Sequence, residues 1–482
     1  MKKISTVLVT LLLLTSCVDS LDDYNIDKKR ASTIPARTLV TNAMKGLTDI
    51  LTTPNVNSNN YRMFVQYWAT TTYLDEPRYN MTSRLYSQNL WNAIYRDVLA
   101  DLKEAKRLIN ADASLTEELR NNQLGIIEIL EVYAWRVLVC TFGDVPYSEA
   151  LNPNNLLPVY DDAQTIFEDL TARLDAALGK LTTTATSFGT ADVVYGGNVA
   201  RWVKFGNTLK LKMGMLLADK NNSKAKIMVE QAASSLSKLL ESNAENGKFP
   251  YIASSPNNNP ISANISAPFT TREDFVIAST IVNQMNSLND PRRSQYFTQV
   301  AGAYVGGNYG FSNAYANYSH VSAKIGAPTF EGMLMEYAEV GFLLAEAIER
   351  GFSVPGTAAE HYNSAVTASI TYWGGTASDA IAYLAQPLVA YASAPGTYKQ
   401  KIALQKWIAL FNRGWESWVE WRRLDAPTLN PPSGAGITTP LKIPVRMIYP
   451  VSEQTLNGAQ WEIASGRIGS DSPDAKLFWD IN

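Results

Sequence analysis

The sequence predicts a mostly α-helical protein: one large scaffold of tetratricopeptide-like helical hairpins with extended loops and little β structure. Three observations carry this. Apolar residues recur at helical spacing over long stretches, strand-like alternation is rare, and the breaks between helices are rich in Gly, Pro and Asn. With 482 residues, 46% of them hydrophobic and 18% charged, the chain can bury a large core and lacks the composition of a disordered protein.

The elements follow in order. Lys2 and Lys3 precede an apolar stretch that ends in Leu14-Thr15-Ser16-Cys17. A charged start, an apolar middle and a small residue before Cys form an export signal, and the middle is short of the roughly 20 residues a spanning helix needs. The final four residues resemble the bacterial lipoprotein cleavage box. Residues 1–16 therefore read as a signal peptide and Cys17 as the lipid anchor. Residues 17–35, with Asp19, Asp22, Asp23 and Asp27, read as a solvated tether, and 36–482 as a single helical body. Acylation of Cys17 leaves Cys140, in the apolar run after Val137, as an inert core thiol.

Residues 124–139 place Ile126, Ile129, Leu130, Val132, Tyr133 and Val137 on one broad face, which predicts a long buried helix stopped at Gly143 and Pro146. Asp161-Asp162 opens the next helix, with Ile166, Phe167, Leu170 and Leu174 inward. Residues 335–348 repeat the device. After Gly351 and Pro355, the small, large, small spacing of Ala358, Tyr362 and Ala365 matches the second helix of a tetratricopeptide unit. Trp407, Phe411, Trp415 and Trp418 form a buried stripe on one helix. Strand candidates are 443–448 and 249–252. Loops are expected at 52–60, 182–198, 254–260, 302–319 and 425–440, and the loop-rich part at about 182–330 is expected to face a ligand.

Composition excludes several functions. The net charge of −3, without a basic run, argues against nucleic acid as a partner. Two His and two Cys leave no common Cys/His zinc site within the chain. No cofactor is predicted; Asp471 and Asp474 could assist a structural calcium, but no EF-hand loop surrounds them. The carboxylate pairs Glu336/Glu339 and Glu416/Glu420 are what a glycoside hydrolase would require. Arg413, Arg422 and Arg423 beside them favour ion pairing instead. Glu346 and Arg350 read as a weak i, i+4 pair on a helix surface.

Several segments occur in a telling order: Phe142-Gly143-Asp144-Val145-Pro146-Tyr147, Arg201-Trp202-Val203-Lys204-Phe205-Gly206-Asn207, Leu343-Leu344-Ala345-Glu346-Ala347, Gly414-Trp415-Glu416-Ser417-Trp418, Trp421-Arg422-Arg423 and Arg446-Met447-Ile448-Tyr449-Pro450. Behind the lipoprotein box, this order resembles the SusD/RagB outer-membrane lipoproteins, nearest the SusD-like branch, from Cys17 to the C-terminus. The resemblance implies tetratricopeptide-like hairpins, a lipid-anchored position at the cell surface, and a SusC-type TonB-dependent transporter as partner. It also implies a nutrient-binding protein and not an enzyme.

Aromatic density singles out two stretches. Nine of the 35 residues from 61 to 95 are aromatic, against 10% for the chain. Tyr61, Phe64 and Trp68, and Tyr86 with Trp91 and Tyr95, have the spacing of buried helix faces. Tyr73 and Tyr79 instead flank Asp75-Glu76-Pro77-Arg78 in a break between helices, where no periodicity buries a ring. Tyr73, Tyr79, Asp75 and Arg78 are thus candidate ligand contacts, with Trp68 at the helix end. The second stretch, 301–320, sets Tyr304, Tyr309, Phe311 and Tyr315 among Gly and Asn, without Asp, Glu, Lys or Arg. A sugar presents an apolar CH face and a rim of hydroxyls, which a flat ring and polar side chains satisfy together. A glycan or oligosaccharide, delivered to the transporter, is the expected ligand. A peptide is the alternative, followed by a scaffold that only supports the transporter lid and by an all-helical glycoside hydrolase.

Overall fold

The computed structural model describes residues 34–437 and 439–481; the signal peptide, Cys17 and nearly all of the tether lie outside the described residues. Helix accounts for 51% and strand for 5%, so the protein is mostly α-helical as the periodicity predicts.

The first helix among the described residues, α1 (Ala36–Thr52), packs on the segment 93–111. Helix α2 (Glu117–Phe142) starts where Thr116 Oγ1 accepts from Leu119 N and ends at Gly143, whose φ of +90° suits a residue without Cβ. Asp162 Oδ1 accepts from Thr165 N to open α3 (Ala163–Lys180), which packs against α2. Helices α4 (Val199–Leu216) and α5 (Asn222–Ala232) form the next pair. In the hairpin of α6 (Tyr337–Glu349) and α7 (Ala358–Trp373), Thr357 and Glu360 make a reciprocal capping box. A Cβ at Gly341 would stand 2.8 Å from His361 O and from Ala365 Cβ, so the small residues let these two helices close.

The four-ring stripe is buried, but it spans two helices, α8 (Tyr398–Ala409) and α9 (Gly414–Leu424). The break falls at 410–413, where Arg413 turns inward to donate to Glu339 and to Leu334 O, each at 2.8 Å. Among the described residues the strands form three antiparallel pairs: β1 (Trp68–Thr70) with β5 (Phe275–Ile277), β2 (Val145–Pro146) with β3 (Tyr160–Asp161), and β4 (Gly247–Phe249) with β6 (Gly332–Met335). Thus the predicted strand at 249–252 survives only at its first residue. Segment 443–448 is not a strand: Val445 N donates to Pro473 O, Met447 N to Thr141 O, and Pro444 O accepts from Trp418 Nε1, so its backbone pairs irregularly with buried neighbours.

A charged core runs beneath α6, α8 and α9. Arg423 donates to both oxygens of Glu346 and to Glu420, all at 2.6 Å, and Lys406 pairs with Glu420 at 2.9 Å. Arg350 bonds Glu346 at 2.8 Å in a buried setting, not on the expected helix surface. Farther along, Lys212 pairs with Glu339 at 2.6 Å and Glu416 at 2.8 Å, while Arg136 and Arg413 pair with Glu416 and Glu336. The carboxylate pairs noted in the sequence are therefore bound to cations. Asp471 is likewise engaged by Arg446 at 2.8 Å and Trp461 Nε1 at 2.9 Å, and Asp474 by Lys442 at 3.0 Å. Among the described residues no group of three or more His, Cys, Asp or Glu could hold a metal ion.

Candidate functional site

The two aromatic stretches, over 200 residues apart in sequence, meet at the β1–β5 pair, where Trp68 faces Ile277 and Thr70 faces Phe275 in register. Asn313 ties the second stretch to the first, donating through Nδ2 to Thr70 O at 2.9 Å and through its backbone to Thr71 O. Gly306 permits the close passage, since a Cβ there would stand 2.3 Å from Ser279 Cα. Arg78 Nε donates to Gly310 O at 2.9 Å, and Tyr309 OH to Met63 O at 2.6 Å.

The candidate rings do not share one role. Trp68, Tyr79 and Tyr309 are only 1%, 8% and 6% exposed, a correction to the expectation that these rings meet ligand. Trp68 does not end a helix; it starts β1 and packs on Phe275 at 5.2 Å and under Arg62. Tyr79 adopts φ +62° and turns its ring inward between Phe64 and Tyr309, where burial pushes its phenol up to about 12. A break in a helix left these positions without periodicity, but tertiary packing of one loop on another buries them. Tyr304 lies beneath Arg293 and beside Phe297, and Tyr315 stacks on His320 at 3.6 Å. Phe311 is half-buried beneath Arg78, and Asp75 is exposed, accepting from Asn80.

Tyr73 differs from the rest. Its ring is 48% exposed and lines a cleft of about 360 Å³ together with Asn55, Asn57, Thr70, Glu76, Arg84, Asn264, Arg272, Asp274 and Phe275. The Arg84 guanidinium lies 5.6 Å from the Tyr73 ring centroid and is paired with the buried Glu76 carboxylate. Arg272, which also interacts with the Tyr73 side chain, pairs with Asp274 at 2.5 Å. At the buried edge, Thr70 Oγ1 and Glu76 Oε2 have no hydrogen-bond partner among the described residues.

Of the sequence candidates, only Tyr73 lines this cleft; Asp75, Arg78 and Tyr79 belong to the loop that carries it. The Asn, Arg and Asp residues around it went unrecognised because they come from three separate segments, 54–57, 70–84 and 264–275. The expected loop at 52–60 and the ligand-facing part at about 182–330, which holds 264–275, were their advance signals. Two of these segments also lie outside the 182–330 part expected to face ligand.

Helical hairpins that gather loops around one shallow, ring-bearing cleft define the class: an α scaffold with a loop-built surface site. Residues 28–450 match the family model SusD-like_2, described as starch-binding associating with outer membrane, and the chain belongs to that family. Similar solved structures include a chitin-binding protein (24% identity, TM-score 0.80, covering 93% of this chain and 99% of that one). A SusD homolog from Bacteroides uniformis has 26% identity and TM-score 0.76, with 92% and 99% covered. A chitin-binding SusD homolog from Flavobacterium johnsoniae has 24% identity and TM-score 0.77, with the same coverage. No curated protein matches the chain.

Proposed function

We propose that this protein is a lipid-anchored cell-surface binder that captures a glycan or oligosaccharide in the Tyr73 cleft and hands it to a SusC-type TonB-dependent transporter without cleaving it. The observation that carries the reading is the half-exposed Tyr73 ring in a cleft lined by Asn55, Asn57 and Asn264. A pyranose CH face stacks on the ring, and its hydroxyls meet Asn55, Asn57 and Asn264. The family description and the chitin-binding names of two similar structures support sugar over peptide. The carboxylates of the cleft are each paired with an arginine, which suits recognition better than the protonated acid and ionised partner that glycoside cleavage needs.

The test is a glycan array and a peptide pool read against the chain lacking residues 1–17. Glycan binding lost in Tyr73→Ala supports the reading. Peptide binding alone replaces it with the peptide alternative, silence from both favours a lid support, and turnover of a glycan overturns it. Cys17→Ala should move the protein from the membrane to the soluble fraction on cell fractionation; persistence in the membrane would remove the anchor.

A further inference from the structure

Resting on that reading, we propose that the Tyr73 cleft selects uncharged sugars and turns away acidic ones, such as uronic-acid or sulfated polymers. The chemistry of its charged residues points this way. Four charged side chains line the cleft, Glu76, Arg84, Arg272 and Asp274, and they are joined as two internal ion pairs. Each arginine that could clamp a carboxylate or sulfate already has an anionic partner within the same wall. The remaining charges of the two carrying segments, Asp75 and Glu273, are acidic and exposed, while Arg78 donates to Gly310 O and Gly436 O. An acidic polymer therefore meets a cleft wall whose two cations are already engaged by carboxylates, with no unpaired cation among the described lining residues to draw it in.

Glu76 is 2% exposed and its Oε1 is held by Arg84, so it stands as a buried wall charge beneath the cleft. A uronate or sulfate brought against that wall sets like charge near a buried anion whose cation is already engaged, which a neutral sugar does not. The Asn side chains of the cleft can donate or accept and so favour neither class.

The experiment measures binding of the chain lacking residues 1–17 to malto-, chito- and xylo-oligosaccharides and to polygalacturonate and chondroitin sulfate, at about 50 and 500 mM NaCl. The expected result is binding of a neutral oligosaccharide with affinity changing less than about twofold across that range. Asp274→Asn, which unpairs the partly exposed Arg272, should raise the ratio of anionic to neutral affinity by about tenfold or more at low salt, and high salt should erase the gain. Salt-sensitive binding of an acidic polymer by the wild-type chain would overturn the selection while leaving sugar capture standing. An unchanged ratio in Asp274→Asn would also overturn it. Silence toward every glycan would sink the underlying reading, and this inference with it.

Discussion

In the charged core, Arg423 satisfies Glu346 and Glu420 with three 2.6 Å bonds and Lys406 adds a fourth contact, whereas in the Tyr73 cleft Glu76 has one oxygen held by Arg84 and the other unmet. The aromatic rings divide in the same way. Trp407 and Trp418 are sealed and their indole N–H groups donate to Val65 O and Pro444 O, while half of the Tyr73 ring faces solvent. Glutamate, arginine and aromatic residues thus serve opposite ends, and what separates them is exposure: the core sets lie out of water, whereas the Tyr73 ring and the Arg272 beside it are open to it. Burying charge costs several kcal/mol per ion, which the core offsets by packing cations against carboxylates, whereas a half-exposed ring costs little to leave in water and is free to meet a ligand.

The comparison breaks most sharply in the core. Arg423→Ala strands Glu346 and Glu420 without their main cation and should lower unfolding free energy by about 3–5 kcal/mol in denaturant titration. A loss under about 1 kcal/mol would mean the network is idle. Trp407→Ala and Tyr309→Ala remove buried rings and should each cost about 3–5 kcal/mol, the second at the low end because its loop can collapse. Were Tyr309→Ala to leave stability intact and abolish binding, its burial would not hold in solution.

Acid distinguishes the regions next. Burial opposes the ionised form of Glu346 and Glu420, but Arg423 outweighs it and holds both carboxyls at about 2, below their ordinary 4.5. A depressed folded value gives stability that is complete above the unfolded value and is lost as pH falls from about 4.5 towards 2. Asp144 and Asp480, pushed up to about 6 by burial, act in the opposite sense between their ordinary 3.8 and 6. The loss from the charged core should therefore stand out below about pH 4 in thermal melts, and Glu346→Gln should flatten that limb. An unaltered limb would assign the acid sensitivity elsewhere.

The hairpins were legible because helix pairing is a local, periodic matter: residues 124–139, the Asp162 cap and the Ala358, Tyr362, Ala365 spacing each state their packing in the sequence. Family resemblance carried the rest of the scaffold. The stripe from Trp407 to Trp418 announced burial but not the turn at Arg413, since ring spacing is blind to where an arginine must leave a helix to meet Glu339. The site was legible only in part. Aromatic excess located the two loops that meet, yet which rings face water depended on contacts such as Tyr309 OH to Met63 O, made across 246 residues. Asn55, Arg84 and Asp274 share no spacing at all.

The smallest expected change in stability belongs to Tyr73→Ala. Its ring is half in water, it makes one cation–π contact with Arg84, and that arginine keeps its bond to Glu76 when the ring is gone. Unfolding free energy should stay within about 0.5 kcal/mol of wild type, as for surface positions away from strained or buried features. Binding is a different matter. By analogy with bases stacked on aromatic side chains, one platform contributes about 1–3 kcal/mol, or roughly 5- to 150-fold in affinity. Titration calorimetry with the best neutral oligosaccharide, paired with a thermal melt of the same sample, reads both quantities. Tyr73→Phe should retain most of the affinity, because stacking needs the ring and not the hydroxyl, which separates a platform from a hydrogen-bond donor. If Tyr73→Ala binds as well as wild type, the exposed ring is incidental and the cleft it lines is not where the ligand sits.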